Sequence, residues 1–145
     1  ITLAFLGAVN PQQLPSVIKL VGDAIKKQKA FMLEIEGLNV FGPQKSPRIF
    51  WGAVNEVNQL FQIQEIVHKT CLAAGFTLET RPYHPHITLA RKWGGNEDFK
   101  IDDLVTQNPF GERVLSFQVS EIVLYKSNLE NTPKYESIAA FSLVN

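Results

Sequence analysis

The sequence predicts an α+β fold built from antiparallel strand pairs with helices packed on one side. Two observations lead there: elements follow in the order strand, helix, strand, strand, helix, strands, and neighbouring strands are joined by turn residues rather than crossover helices. A doubly wound parallel sheet does not fit that order. With 145 residues, 45% hydrophobic and 19% charged, the chain reads as one soluble globular domain over residues 1–145, with enough apolar surface to offset its chain entropy.

Each element follows from its own pattern. Residues 1–7 are apolar, short and ended by Gly7, which suits a buried strand. Asn10-Pro11 marks a turn. Leu14, Val17, Ile18, Val21 and Ile25 then recur at helical spacing, with Lys19, Asp23, Lys26 and Lys27 off the stripe and Pro15 in the first turn. Phe31, Leu33 and Ile35 alternate with Met32, Glu34 and Glu36, as a half-exposed strand requires. Gly42-Pro43 and Ser46-Pro47 form a loop before a strand from Arg48 to Val54.

Leu60, Phe61, Ile63, Val67, Cys71 and Ala74 form a second helical stripe, opened by a cap at Asn55 and stopped at Gly75. His86 to Lys92 is a short strand, Gly94-Gly95-Asn96 a turn, and Ile101 to Val105 a short helix. Val114 to Lys126 and Tyr135 to Leu143 are strands of an antiparallel hairpin, joined by the long polar loop Ser127 to Lys134.

Fourteen basic residues balance fourteen acidic ones. A neutral chain argues against a non-specific nucleic-acid coat or an anionic-membrane binder, both of which need a summed positive field. The single cysteine, Cys71, cannot form an internal disulfide, and no apolar run is long enough to cross a bilayer. A cytoplasmic protein is expected, without membrane contact and as a monomer. The chain opens on Ile1-Thr2-Leu3-Ala4-Phe5, as though inside a strand, so an upstream segment is expected too.

The chemistry concentrates in Arg81-Pro82-Tyr83-His84-Pro85-His86-Ile87-Thr88-Leu89-Ala90-Arg91-Lys92, which holds two of the three histidines. On a strand His86 and Thr88 face one side, at a spacing of about 6 to 7 Å, while Ile87 and Leu89 face the core. Imidazole exchanges protons near neutral pH, a threonine hydroxyl donates to an anionic oxygen, and Arg91 neutralises charge. Such groups suit phosphoryl transfer.

Plainer readings exist for each residue. His84 and His86 would be partly buried histidines beside Pro85, and Thr88 a β-branched strand former. His84 and His86 would also suit a zinc site, but no further Cys/His cluster joins them: His68 lies on a helix as a solvated residue, so no metal is expected. Tyr83 stacks on a base or packs beside Pro82. Trp51 is assigned to the core, and Cys71 to packing. Ile1-Thr2-Leu3-Ala4 recurs as Ile87-Thr88-Leu89-Ala90, an echo that ties the chain's first residues to the histidine segment.

Thr2-Leu3-Ala4-Phe5-Leu6-Gly7, Phe41-Gly42-Pro43, Ser46-Pro47-Arg48 and Arg81 to Arg91, with the closing Ser127-Asn128-Leu129 and Phe141-Ser142-Leu143, resemble the bacterial and archaeal RNA 2′,3′-cyclic phosphodiesterases. These enzymes, formerly called 2′-5′ RNA ligases, belong to the 2H phosphoesterase superfamily. The resemblance implies a two-lobed α+β fold whose antiparallel sheets line a central cleft. It also implies two His-x-Thr motifs facing that cleft. His86 and Thr88 match the second motif, Arg91 a phosphate-contacting position, and Thr2 the threonine of the first. That motif's histidine would directly precede Ile1, after an upstream strand and helix.

The resemblance further implies metal-independent hydrolysis of 2′,3′-cyclic phosphate RNA ends, without a cofactor. One imidazole would take the proton of water and the other would protonate the leaving 3′ oxygen, giving a 2′-phosphate and a bell-shaped pH profile. Thr2, Thr88 and Arg91 would hold the non-bridging oxygens. Lys45, Arg48, Arg81, Arg91 and Lys92 would border the cleft, although Lys45 and Lys92 also read as solvated strand-edge residues. Arg48, Tyr83 and His84 are the further candidate substrate contacts. Alternatives are another small cyclic or 2′-5′ linked nucleotide as substrate, the reverse ligation, and a non-catalytic RNA-binding module.

Overall fold

A computed structural model describes residues 1–106 and 114–145. After a 3-10 turn at Pro11–Gln13, the elements are α1 (Leu14–Ile25), β1 (Phe31–Phe41), β2 (Ile49–Val54), α2 (Asn58–Ala73), β3 (His86–Arg91), α3 (Ile101–Thr106), β4 (Leu115–Val119), β5 (Glu121–Ser127) and β6 (Tyr135–Ser142). The α+β reading holds, with antiparallel pairing of β1 with β2, β2 with β3, and β5 with β6.

The chain divides into two compact units. The first comprises Ile1–Thr2, Leu33–Glu56 and Pro82–Phe117. It contains most of a four-stranded sheet in the order β3-β2-β1-β4, with Leu33, Trp51 and Val54 buried. The second comprises Leu3–Met32, Val57–Arg81 and Gln118–Asn145. Here α1 packs on α2 and the β5–β6 hairpin forms its own sheet. Val17, Val21, Ile25, Leu60, Ile63, Val67 and Cys71 are buried. These are the positions that the two helical stripes put on one face. Gly22 lets the Phe141 ring approach α1, since a Cβ there would lie 3.4 Å from it.

Four expectations are corrected. Residues 1–7 form no strand: a strand exists through its ladder, and this stretch has none among the described residues and leaves Phe5 73% exposed. Asn55 does not cap α2, which starts after Val57. Its side chain instead accepts a hydrogen bond from the Glu34 amide at 2.8 Å and fastens β1 to the end of β2. The strand expected over Val114 to Lys126 is two strands, broken at Ser120 and assigned to different sheets. Leu89, expected in the core, is 53% exposed. The pairing of β3 explains that exposure.

Candidate active site

The first unit's sheet sets out the site in rows, because residues directly opposite in a ladder share a face. His86 pairs with Ala53, which pairs with Gly37. Thr88 pairs with Trp51, and Trp51 with Asn39. Arg91 pairs with Ile49, and Ile49 with Phe41. On β1 and β2 these residues follow each other at two-residue intervals, so all three rows lie on one face.

On β3 the intervals are two and then three, and a bulge accounts for the difference. Thr88 opposes Trp51 and Ala90 opposes Phe50, which leaves Leu89 as the extra residue between them. Strict alternation from His86 would bring Ala90 to the face of His86 and Thr88 and turn Arg91 away. The bulge shifts the phase, so Arg91 joins them and Leu89 is left exposed. His86, Thr88 and Arg91 therefore present an imidazole, a hydroxyl and a guanidinium on the same side of the sheet.

The imidazole of His86 is held in a defined orientation. Its Nδ1 lies 2.8 Å from the carbonyl oxygen of His84. A carbonyl only accepts, so Nδ1 carries the hydrogen and Nε2 remains the nitrogen that takes or gives a proton. Two aromatic rings back this arrangement. Phe41 and Trp51 stack at 4.7 Å, and the His86 ring sets against them at 5.1 and 5.8 Å. The ring of His84 meets the same pair at 5.4 and 5.0 Å. Trp51 is only 5% exposed. Its assignment to the core holds, and its role as a wall behind both histidines depends on a cross-strand pairing that composition does not reveal.

The other candidates sit as follows. Thr2 is exposed and belongs to the same compact unit as His86, Thr88 and Arg91. Arg48, also in this unit, closes the β1–β2 loop by donating its amide to the Phe41 carbonyl at 2.9 Å. Its side chain lies over Gly42, whose φ of +97° and short approach to Arg48 suit glycine. Tyr83 is half-buried, and burial pushes its phenol up to about 12, so the hydroxyl stays protonated at neutral pH.

The expected basic set contracts. Lys45 pairs with Asp98 at 2.7 Å, and Arg81, in the second unit, pairs with Glu79 at 2.8 Å. His68 is not simply solvated: it is half-buried, with Nε2 3.3 Å from the Glu79 carbonyl oxygen. Burial raises the Cys71 thiol. Among the described residues no group of three His, Cys, Asp or Glu side chains is arranged to hold a metal ion. An open hollow of about 340 Å³ is lined by Asn128, Asn131, Thr132, Pro133 and Glu136. It offers neither imidazole nor guanidinium and lacks the chemistry collected on β3.

Comparison with known proteins gives this arrangement a family. The model of the LigT like Phosphoesterase family matches residues 1–51 and 53–135. The chain belongs to this family. It is 44% identical over 144 residues to an RNA 2′,3′-cyclic phosphodiesterase of Geobacillus stearothermophilus, covering 99% of this chain and 45% of that protein. It is 33% identical over 143 residues to the Bacillus subtilis protein of the same name, covering 99% of this chain and 75% of that one. The chain thus spans under half of the first relative and three quarters of the second.

In fold, this LigT-like chain is similar to the Escherichia coli LigT crystal structure complexed with 3′-AMP. The TM-score is 0.75 at 23% identity, covering 99% of this chain and 76% of that one. A Thermus thermophilus structure matches with a TM-score of 0.74 at 22% identity, covering 98% of this chain and 76% of that one.

Proposed function

We propose that this LigT-like phosphoesterase hydrolyses RNA 2′,3′-cyclic phosphate ends to 2′-phosphates, in the cytoplasm, by two-histidine acid/base catalysis. One observation carries the reading: His86 keeps Nε2 available by donating Nδ1–H to the His84 carbonyl, on the sheet face that also bears Thr88 and Arg91. The names of the Geobacillus and Bacillus relatives support the substrate class.

Water attacks phosphorus while a base takes its proton. The bond from phosphorus to the 3′ oxygen breaks, and an acid protonates that oxygen. His86 is proposed as one of these two groups, and the first-motif histidine expected two residues ahead of Thr2 as the other. Each proton transfer contributes on the order of 10² to 10⁴ in rate. Thr88, Thr2 and Arg91 donate hydrogen bonds to the non-bridging oxygens, where charge grows in the transition state. Arg48, His84 and Tyr83, the last as a neutral phenol, are proposed as contacts to the substrate outside the reacting phosphate.

The test is turnover by the intact protein of a nucleoside 2′,3′-cyclic phosphate and of a 2′-5′ linked dinucleotide, with the product phosphate located by phosphorus NMR. A 2′-phosphate from the cyclic substrate is expected. Cleavage confined to the 2′-5′ linkage would redirect the substrate assignment, and binding without turnover of either would make the chain a binding module.

A further inference from the structure

We infer that the end of the β2–β3 ladder is a second binding site, for the RNA strand leading into the cyclic phosphate. Trp93 stacks one of its bases, while Arg48 and Lys92 hold phosphates beside it. The inference rests on the phosphodiesterase reading above and adds the requirement that the natural substrate be a chain rather than a mononucleotide.

The ladder continues past the Ile49–Arg91 pair through two backbone bonds. The Lys92 amide donates to the Arg48 carbonyl at 2.8 Å, and the Trp93 amide to the Pro47 carbonyl at 3.0 Å. Lys92 takes a φ of +60° there and turns the chain so that Trp93 begins a loop. That loop is built around the indole. Trp93 Nε1–H donates to the Glu97 carbonyl at 2.8 Å. Phe99 meets the indole edge-on at 5.2 Å and meets Phe50 at 5.8 Å. The Phe99 amide donates to the Lys45 carbonyl at 2.9 Å. Gly95 lies against the indole so closely that any side chain there would collide with it.

Despite these restraints Trp93 is 41% exposed. Its N–H is already satisfied, so the exposed part of this aromatic side chain carries no unmet polar group. A fixed aromatic surface is what a nucleobase stacks on at little ordering cost.

The charges agree with that occupant. Arg48, Arg91 and Lys92 are exposed, and none of the three has an ion-pair partner among the described residues. The nearby Lys45, by contrast, is neutralised by Asp98. Glu97 shares the loop, but it meets Trp93 through its carbonyl. Three unpaired cations beside an anchored tryptophan complement a polyanion carrying flat bases, whereas an apolar protein partner would leave those charges without use. At about 3.3 Å per residue, and with the bulge at Leu89 shortening the path, Lys92 lies at most roughly 20 Å from His86 along the strand. The nucleotides that precede a cyclic phosphate end on His86 can span that length.

The experiment compares kcat/KM for a nucleoside 2′,3′-cyclic phosphate and for a short RNA ending in the same group, in the intact protein and its Trp93→Ala, Trp93→Phe and Lys92→Asn variants. Asparagine accepts the positive φ of position 92. Trp93→Ala should lose about fivefold to a hundredfold on the RNA, through KM, and nothing on the mononucleotide. Trp93→Phe should keep most of the RNA preference. Lys92→Asn should lower the slope of log affinity against log salt by about 0.7 for the RNA.

Equal losses on both substrates, no loss on either, or a Trp93→Phe variant as poor as Trp93→Ala would overturn the inference. Should the unmodified protein turn over neither substrate, the phosphodiesterase reading fails on its own. Fluorescence anisotropy of a 2′-phosphate-ended RNA then decides the strand site by the same comparison of variants.

Discussion

Removing Arg91 and placing a guanidinium one residue earlier, in the double variant Ala90→Arg/Arg91→Ala, should leave activity as low as in Arg91→Ala alone. A regular strand would bring position 90 to the face of His86 and Thr88. The register instead pairs Ala90 with Phe50 and Arg91 with Ile49, so a guanidinium at 90 projects from the opposite side of the sheet. A charge-assisted hydrogen bond to phosphate is worth about 1.5 to 3 kcal/mol. Its loss corresponds to roughly a tenfold to hundredfold drop in kcat/KM, at about 1.4 kcal/mol per tenfold. Arg91 is exposed, which favours the lower end of that range. Because Ala90 is also exposed, arginine there should be accommodated, and a circular-dichroism melt checks that it is. Steady-state kinetics on a nucleoside 2′,3′-cyclic phosphate gives the result. Recovery of the lost activity by the double variant would refute the bulged register and the grouping drawn from it.

Three further outcomes follow from the same structure. Leu33 is 1% exposed, so Leu33→Ala should cost about 2 to 5 kcal/mol through lost transfer energy and an unfilled cavity, read as a lower urea midpoint at unchanged slope. Cys71 is buried and its thiol raised by burial, so iodoacetamide at pH 8 should leave the native protein unlabelled and react only after unfolding; native labelling at the unfolded rate would contradict its packing role. Tyr83 titrates at about 12 when folded, against an ordinary value of 10.0. Its contribution to stability is therefore complete below about pH 10 and lost as pH rises towards 12. Tyr83→Phe should remove that part of the alkaline decline, and an identical decline in both proteins would exclude it.

The segment around His86 was readable because its chemistry is local. Two residues of alternation suffice to bring His86 and Thr88 to one side, and the bulge begins only beyond them. The family resemblance implies Arg91 as a phosphate contact, but which face it takes is decided by the partner strand, and the apolar Leu89-Ala90 pair gives no sign of a change in phase. The same limit applies to Trp51. Its burial was expected, yet its contact with His84 and His86 requires its pairing with Thr88, a partner 37 positions away by subtraction of the two residue numbers.

Elsewhere a correct local signal was captured by another partner. Asn55 has the side chain of a helix cap, and the Glu34 amide claims it. Residues 1–7 have a strand's composition but no ladder among the described residues. The two helices were legible almost to their ends because their stripes are long and periodic, and Gly75, with φ of +90°, stops α2 as glycine ordinarily does.

Asparagine at position 86 puts the role of Nε2 to the most direct trial. His86→Asn keeps an N–H that can donate to the His84 carbonyl while removing the proton carrier. Its kcat on a nucleoside 2′,3′-cyclic phosphate should fall by on the order of 10² to 10⁴ with the thermal melt unchanged. A variant that folds normally and still turns over within a few-fold of the unmodified protein would contradict the assignment of His86 to proton transfer.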